Sequence, residues 1–167
     1  MRVLPRLKPG LKTGVAWAVS VGALAGLSAC SAMIGIQISG GLEQPVARFG
    51  SDPAKPEKAC LRSLTVHESG AGVWSVVWAI EARGGNCVGL RQVVYGQAPS
   101  GFDTQTAARP LKPDTVYSVM GQGVTGGPLS RVPWMGGAEV VFEDGGWRSI
   151  TSQEQARRRA QLTVPVS

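Results

Sequence analysis

The chain has 167 residues and a formal net charge of +6, from 17 Lys and Arg against 11 Asp and Glu, with 43% hydrophobic residues, one histidine and three cysteines. That length fits one domain, and the apolar fraction excludes a wholly disordered chain. Its 23 glycines and 11 prolines follow no repeat period, which excludes collagen and argues for many turns rather than long helices.

The charge is unevenly spread. Residues 1–29 hold Arg2, Arg6, Lys8 and Lys12 with no acid, and residues 149–167 hold Arg157, Arg158 and Arg159 against Glu154 alone. Residues 30–148 carry ten charges of each sign. A neutral body gives no electrostatic footprint for nucleic acid, which needs a basic face on the folded domain.

Behind the basic start, residues 15–26 form an uncharged apolar run of the length found in the central region of a secretory signal peptide, expected to be helical. It ends in Leu27, Ser28, Ala29 and Cys30. This pattern of aliphatic, small, small, Cys resembles the bacterial lipobox. The resemblance implies that Cys30 is lipidated, with acyl chains such as palmitate, and that the leader is removed so that the mature chain starts at Cys30. Each buried acyl methylene contributes about 0.8 kcal/mol, so two or three chains anchor a protein stably. The other reading is an uncleaved membrane anchor, because no charge occurs between Lys12 and Glu43. Against it, Ser20, Gly22, Gly26 and Ser28 make the run only moderately hydrophobic. Gram-negative lipoproteins retained in the inner membrane usually carry Asp after the modified cysteine. Ser31 therefore implies the outer membrane, facing the periplasm.

With Cys30 assigned to lipid, an oxidising envelope compartment lets Cys60 and Cys87 pair. Closing that loop contributes about 3.5 kcal/mol in the chain-entropy treatment. The alternative, a structural zinc, is short of ligands, since His67 is the only histidine to join two thiols. His67 reads as a surface residue at a strand end. No metal and no cofactor are expected.

In the mature chain, alternating Ile34, Ile36 and Ile38 predict a first strand that stops at Gly40 and Gly41. A second short strand falls around Val46 and Phe49, and residues 51–57 read as a loop. Residues 61–67 form a strand, and residues 69–72 a turn. Residues 73–82 carry the strongest strand signal, with Trp74, Val76, Trp78 and Ile80 on one core face. Residues 83–86 turn the chain into a strand at 90–96, and a short strand is expected at 102–106.

Next come Leu111, Pro113, Thr115 and Tyr117 in the spacing L-x-P-x-T-x-Y. It resembles the tyrosine corner of fibronectin type III-like sandwiches. The resemblance implies that Leu111 plugs the core, Pro113 shapes the turn, and the Tyr117 hydroxyl donates to backbone just upstream. After a strand at 116–120, residues 121–137 read as a long glycine-rich loop. There Arg131 and Trp134 would present a cationic and aromatic contact to a sugar, peptide or protein, unless Trp134 folds back over the core. Ala138, Val140 and Phe142 mark the last clear strand, closed by Gly145 and Gly146, and Glu143 and Asp144 read as a turn.

The expected architecture is all-β: a single fibronectin III/Ig-like β-sandwich of about seven strands over residues 30–148, after a leader over 1–29. In the polar and basic tail, 149–167, Thr151 and Glu154 form a capping-box pattern, predicting one or two turns of marginal helix or a disordered segment. Arg157, Arg158 and Arg159 are placed to touch anionic headgroups, or else are simply solvated.

Nucleophile, phosphate-loop and dinucleotide signatures do not occur in their required contexts. The expected role is therefore non-catalytic: an envelope lipoprotein, held to the membrane through Cys30, acting as a binding or structural-interaction module toward an envelope protein or glycan. The alternative is a small envelope hydrolase or carbohydrate-active protein using acids brought together by folding.

Overall fold

The computed structural model describes residues 32–50, 52, 54, 57–70, 73–125 and 131–162, with Ser152 and residues 159–162 described in backbone only. The leader, Cys30 and the side chain of Arg159 lie outside the described residues. The strands are β1 (Ala32–Met33), β2 (Ile36–Ser39), β3 (Val46–Phe49), β4 (Ala59–Gly70), β5 (Val73–Ala82), β6 (Val88–Leu90), β7 (Gln92–Val94), β8 (Phe102–Thr106), β9 (Val116–Thr125), β10 (Val132–Glu143) and β11 (Gly146–Ser149). A short 3₁₀ turn covers Arg83–Gly85, and the helix α1 covers Ser152–Leu162.

The architecture is all-β, in two sheets, with eleven strands among the described residues rather than about seven. The larger sheet runs β1-β10-β9-β4-β5-β8, with β11 also on β10 and β6 on β4. The smaller runs β2-β3-β7. Among the described residues, only β1 pairs in parallel, against β10. One apolar core lies between the sheets, with Ile36, Ala47, Phe49 and Val93 from the small sheet and Leu61, Leu64, Val66, Trp78, Val119 and Trp134 from the large one. This is a β-sandwich-like arrangement, and burying both inner faces is what stabilises it.

Several expectations need correction. The single strand expected at 90–96 is two. β6 pairs with β4 in the large sheet, and β7 pairs with β3 in the small one, so the chain changes sheets at Arg91. The face proposed for Trp74, Val76, Trp78 and Ile80 breaks at a bulge. Val66 opposes Trp78 while His67 opposes Val76, leaving Val77 as the extra residue. Side-chain parity inverts there, as a bulge requires. Val77 is 1% exposed and Val76 is 39% exposed. Trp74 packs instead on the outer face, beside a small cluster of Val116, Val141 and Ile150. His67 lies within β4 rather than at a strand end.

The loop expected at 121–137 is mostly strand, because β9 and β10 pair continuously from Val132 opposite Thr125 to Val141 opposite Val116. The glycines serve close approach rather than turning. Trp134 sits opposite Gly123, and its indole crosses β9 to donate from Nε1 to the Cys60 carbonyl of β4 at 3.1 Å. A Cβ on Gly123 would collide with that carbonyl, and one on Gly121 would lie 3.2 Å from the Trp134 ring. The glycines thus make the groove in which the tryptophan lies.

Gly145 and Gly146 do not end the sheet. Asp144 and Gly145, both with positive φ, form a two-residue hairpin loop between β10 and β11. That is the type I′ geometry for which Asp-Gly is suited.

The tail forms an eleven-residue helix, longer than expected. Thr151 Oγ1 accepts the Glu154 N–H at 3.2 Å, which is the first half of the capping box. The Glu154 carboxylate does not return to the cap. It pairs with Arg148 at 2.8 Å and Arg158 at 3.0 Å, while Glu143 pairs with Arg148 at 2.7 Å and Arg158 at 2.5 Å. Gln155 adds a 2.7 Å bond to Glu139, which fixes α1 on the outer face of β10.

Candidate functional site

An apolar crevice lies between the two sheets. Its walls are Ala47 and Val93 of the small sheet against Leu64, Val66 and Val119 of the large sheet, and its rim includes Pro45, Leu111 and Trp147. The cavity measures about 30 Å³, room for roughly two waters. Four polar tips serve this otherwise apolar lining: the indoles of Trp78 and Trp147 and the hydroxyls of Tyr95 and Tyr117.

The phenols are satisfied. Tyr95, one residue beyond β7, donates to the Arg109 carbonyl at 2.8 Å, and its ring meets Trp78 edge-on at 5.1 Å. Burial pushes its hydroxyl pKa up to about 12, so it remains a donor throughout the physiological range. Tyr117 is buried, and its hydroxyl accepts the Lys112 N–H at 2.8 Å. Burial raises its pKa as well. The upstream backbone bond expected of a tyrosine corner is present, with the roles largely reversed. The hydroxyl mainly accepts, and its own donation to the Lys112 carbonyl is long at 3.5 Å.

The indoles are not satisfied. Trp78 Nε1 and Trp147 Nε1 are both buried without a hydrogen-bond partner among the described residues. Buried donors of this kind carry a desolvation cost.

The segment 107–115 forms a strap over one side of the crevice. Arg109 donates its N–H to the Val77 carbonyl at 3.1 Å, and its guanidinium reaches the Val76 carbonyl at 3.0 Å. Lys112 Nζ pairs with Glu68 at 2.8 Å, which raises the lysine pKa by stabilising its charge. Leu111 packs against the core and lines the crevice, as the corner pattern implies. Pro113 precedes a tight turn in which Asp114 takes a positive φ.

The other predicted residues fall elsewhere. Cys60, on β4, is bonded to Cys87, which lies just before β6, with a Cα separation of 5.2 Å. Trp134 is 1% exposed, so it offers no surface to a ligand, while Arg131 is exposed at the start of β10. They do not form a joint contact surface. Among the described residues, no three of His, Cys, Asp and Glu group closely enough to hold a metal ion. Reading the residues alone missed the strap and the Tyr95 contact. Their signal is weak because the partners are 14 residues apart in sequence.

No protein-family model, no curated protein and no solved structure matches the chain.

Proposed function

We propose that this is a bacterial envelope lipoprotein, anchored through acylated Cys30 and most consistent with the outer membrane facing the periplasm. Its body is a fibronectin III/Ig-like sandwich acting as a non-catalytic binding or structural-interaction module. The observation that carries the anchoring is the run Leu27, Ser28, Ala29 and Cys30 behind a basic and then apolar leader. The Cys60–Cys87 disulfide agrees with export to an oxidising compartment. The sandwich type is supported by the resemblance of Leu111, Pro113, Thr115 and Tyr117 to a tyrosine corner and by the Lys112 to Tyr117 bond, which lies in the connection from β8 to β9 of the large sheet.

A binding role fits the crevice better than a catalytic one. Its lining is hydrocarbon, indole and phenol, with no carboxylate, imidazole or thiol to move a proton. It suits a single apolar group of a partner, protein or glycan.

The test is Cys30→Ser in the full chain. The native protein should carry an acylated Cys30 by intact mass and fractionate with membranes, and the variant should be soluble or uncleaved. A variant that is cleaved yet still fractionates with membranes overturns the anchoring.

A further inference from the structure

The outer face of the large sheet is covered at one end only. There α1 docks through Gln155 and Glu139, and Ile150 packs on Val116 and Val141. At the other end, among the described residues, the exposed side chains include three methionines with the uncharged Gln122 between them. On β9, Tyr117 and Val119 point into the core, so Met120 points out, and on β10 the buried Trp134 puts Met135 outward. On β1, Ala32 packs against the core and Met33 faces out. Met33, Met120 and Met135 are 79%, 43% and 50% exposed.

The three form one strip. Met33 and Met135 are direct partners across the β1–β10 pair. Met135 opposes Gln122 and Met120 opposes Gly137, so Met135 and Met120 are diagonal neighbours on the same face. The chain has four methionines, and every one beyond Met1 lies in this strip. The ladder partners Gln122, Gly137 and Thr65 are uncharged, so covering the strip buries no charge among them.

We infer that this methionine strip on the outer face of β1, β10 and β9 seats on the lipid bilayer. The inference rests on the proposed acylation of Cys30 and adds to it the face by which the domain meets the membrane. Cys30 is two residues before Ala32, so the extended chain holds the start of β1 within ~7 Å of the acylated residue. A tether that short places the edge strand β1 in the headgroup region, where anchored amphipathic surfaces bury their apolar side chains. Unbranched methionine suits a fluid surface because its side chain adapts to an irregular neighbour. The domain therefore lies against the membrane by one sheet face instead of swinging on a leash.

The experiment uses the full acylated protein in vesicles of phosphatidylethanolamine and phosphatidylglycerol, with a fraction of phospholipid carrying a photoactivatable diazirine on its acyl chain. Intact mass first establishes the acyl group on Cys30. After irradiation, lipid adducts should concentrate at Met120 and Met135, at least fivefold above β8, the opposite edge of the same sheet. These two sites decide, because Met33 is near the tether in any case. The double variant M120E/M135E, at half-exposed positions, should keep its acyl group and its thermal melt, and lose the adducts at neighbouring Gln122 and Gly137 at least fivefold. Acylated protein with adducts spread evenly over both edges, or with chain-to-chain links at the strip in place of lipid, overturns the seating and leaves the anchor standing. A Cys30 without acyl groups overturns both, and the mass distinguishes that outcome from the first.

Discussion

Replacing Tyr117 with phenylalanine removes one hydroxyl and nothing else. The ring stays in its buried site, edge-on to Trp147 at 6.2 Å, so packing is conserved and the loss is polar. The hydroxyl makes one good bond, from the Lys112 N–H at 2.8 Å, and its 3.5 Å contact to the Lys112 carbonyl is too long to count for much. A neutral hydrogen bond contributes about 0.5–1.5 kcal/mol net, and a stranded buried donor costs about 1–3 kcal/mol. Lys112 is exposed, so water can reach its N–H and the lower part of that range applies. The expected cost is about 1 kcal/mol, or roughly 3–5 °C in Tm for a domain of this size. Urea melts of wild type and Tyr117→Phe read this directly, with the slope unchanged because the surface exposed on unfolding is the same. A difference below about 0.3 kcal/mol at equal slope would show that this bond does not hold the β8–β9 connection, and would remove the main support for the proposed fibronectin III-like sandwich.

Gly123→Ala should destabilise the domain by about 2 kcal/mol or more, because its Cβ collides with the Cys60 carbonyl, which cannot rotate away as a side-chain tip can. Gly137→Ala is the control: its Cβ meets only the Val119 carbonyl, at 3.4 Å, and a chemical melt should show a change below about 1 kcal/mol. Alkylation of native protein without reductant should leave Cys60 and Cys87 unmodified by intact mass; two adducts there would exclude the disulfide in the exported protein. The bonds from Arg148 hold Glu154 down to about 2 and also lower Glu143, whose unperturbed value is 4.5. Their folded pKa values lie below the unfolded ones, so the contribution these pairs make to the docking of α1 is fully present above pH 4.5 and is lost as pH falls toward 2. Helical circular dichroism should decline across that window and earlier in Arg148→Ala, and a signal flat to pH 2 in both would contradict it.

How much of this was legible depended on how local each determinant is. β8 occupies the residues its apolar and turn pattern marks, and β5 does too, because strand limits there follow from adjacent Gly and Arg-Gly-Gly turns. The bond between Tyr117 and the backbone just upstream was readable since Tyr117 and Lys112 are five residues apart. The glycines of β9 and β10 were not readable as strand residues. Glycine ordinarily signals a turn, and the packing role of these comes from distant groups: the Trp134 indole over Gly121 and Gly123, the Cys60 carbonyl at Gly123 and the Ile34 carbonyl at Gly136. The Asp144-Gly145 hairpin loop had a local signal, but Gly146 beside it reads as an end.

The parity error in β5 and the missing strap meet at Val77. A period-two reading assumes that every residue of a strand is spent on the ladder, and Val77 is not: its neighbours Val76 and Trp78 pair with consecutive residues of β4. A carbonyl left out of the ladder in a half-buried place needs another donor. The Arg109 N–H supplies one at 3.1 Å, and the Tyr95 hydroxyl stands 3.3 Å from the same oxygen while bonding Arg109 more closely. The Val77 carbonyl lies beyond the end of the β5–β8 pairing and is an attachment point for residues 107–115, and the strap in turn brings Leu111 to the crevice and Lys112 to Tyr117. Without the extra residue the face of Trp74, Val76 and Trp78 would be continuous.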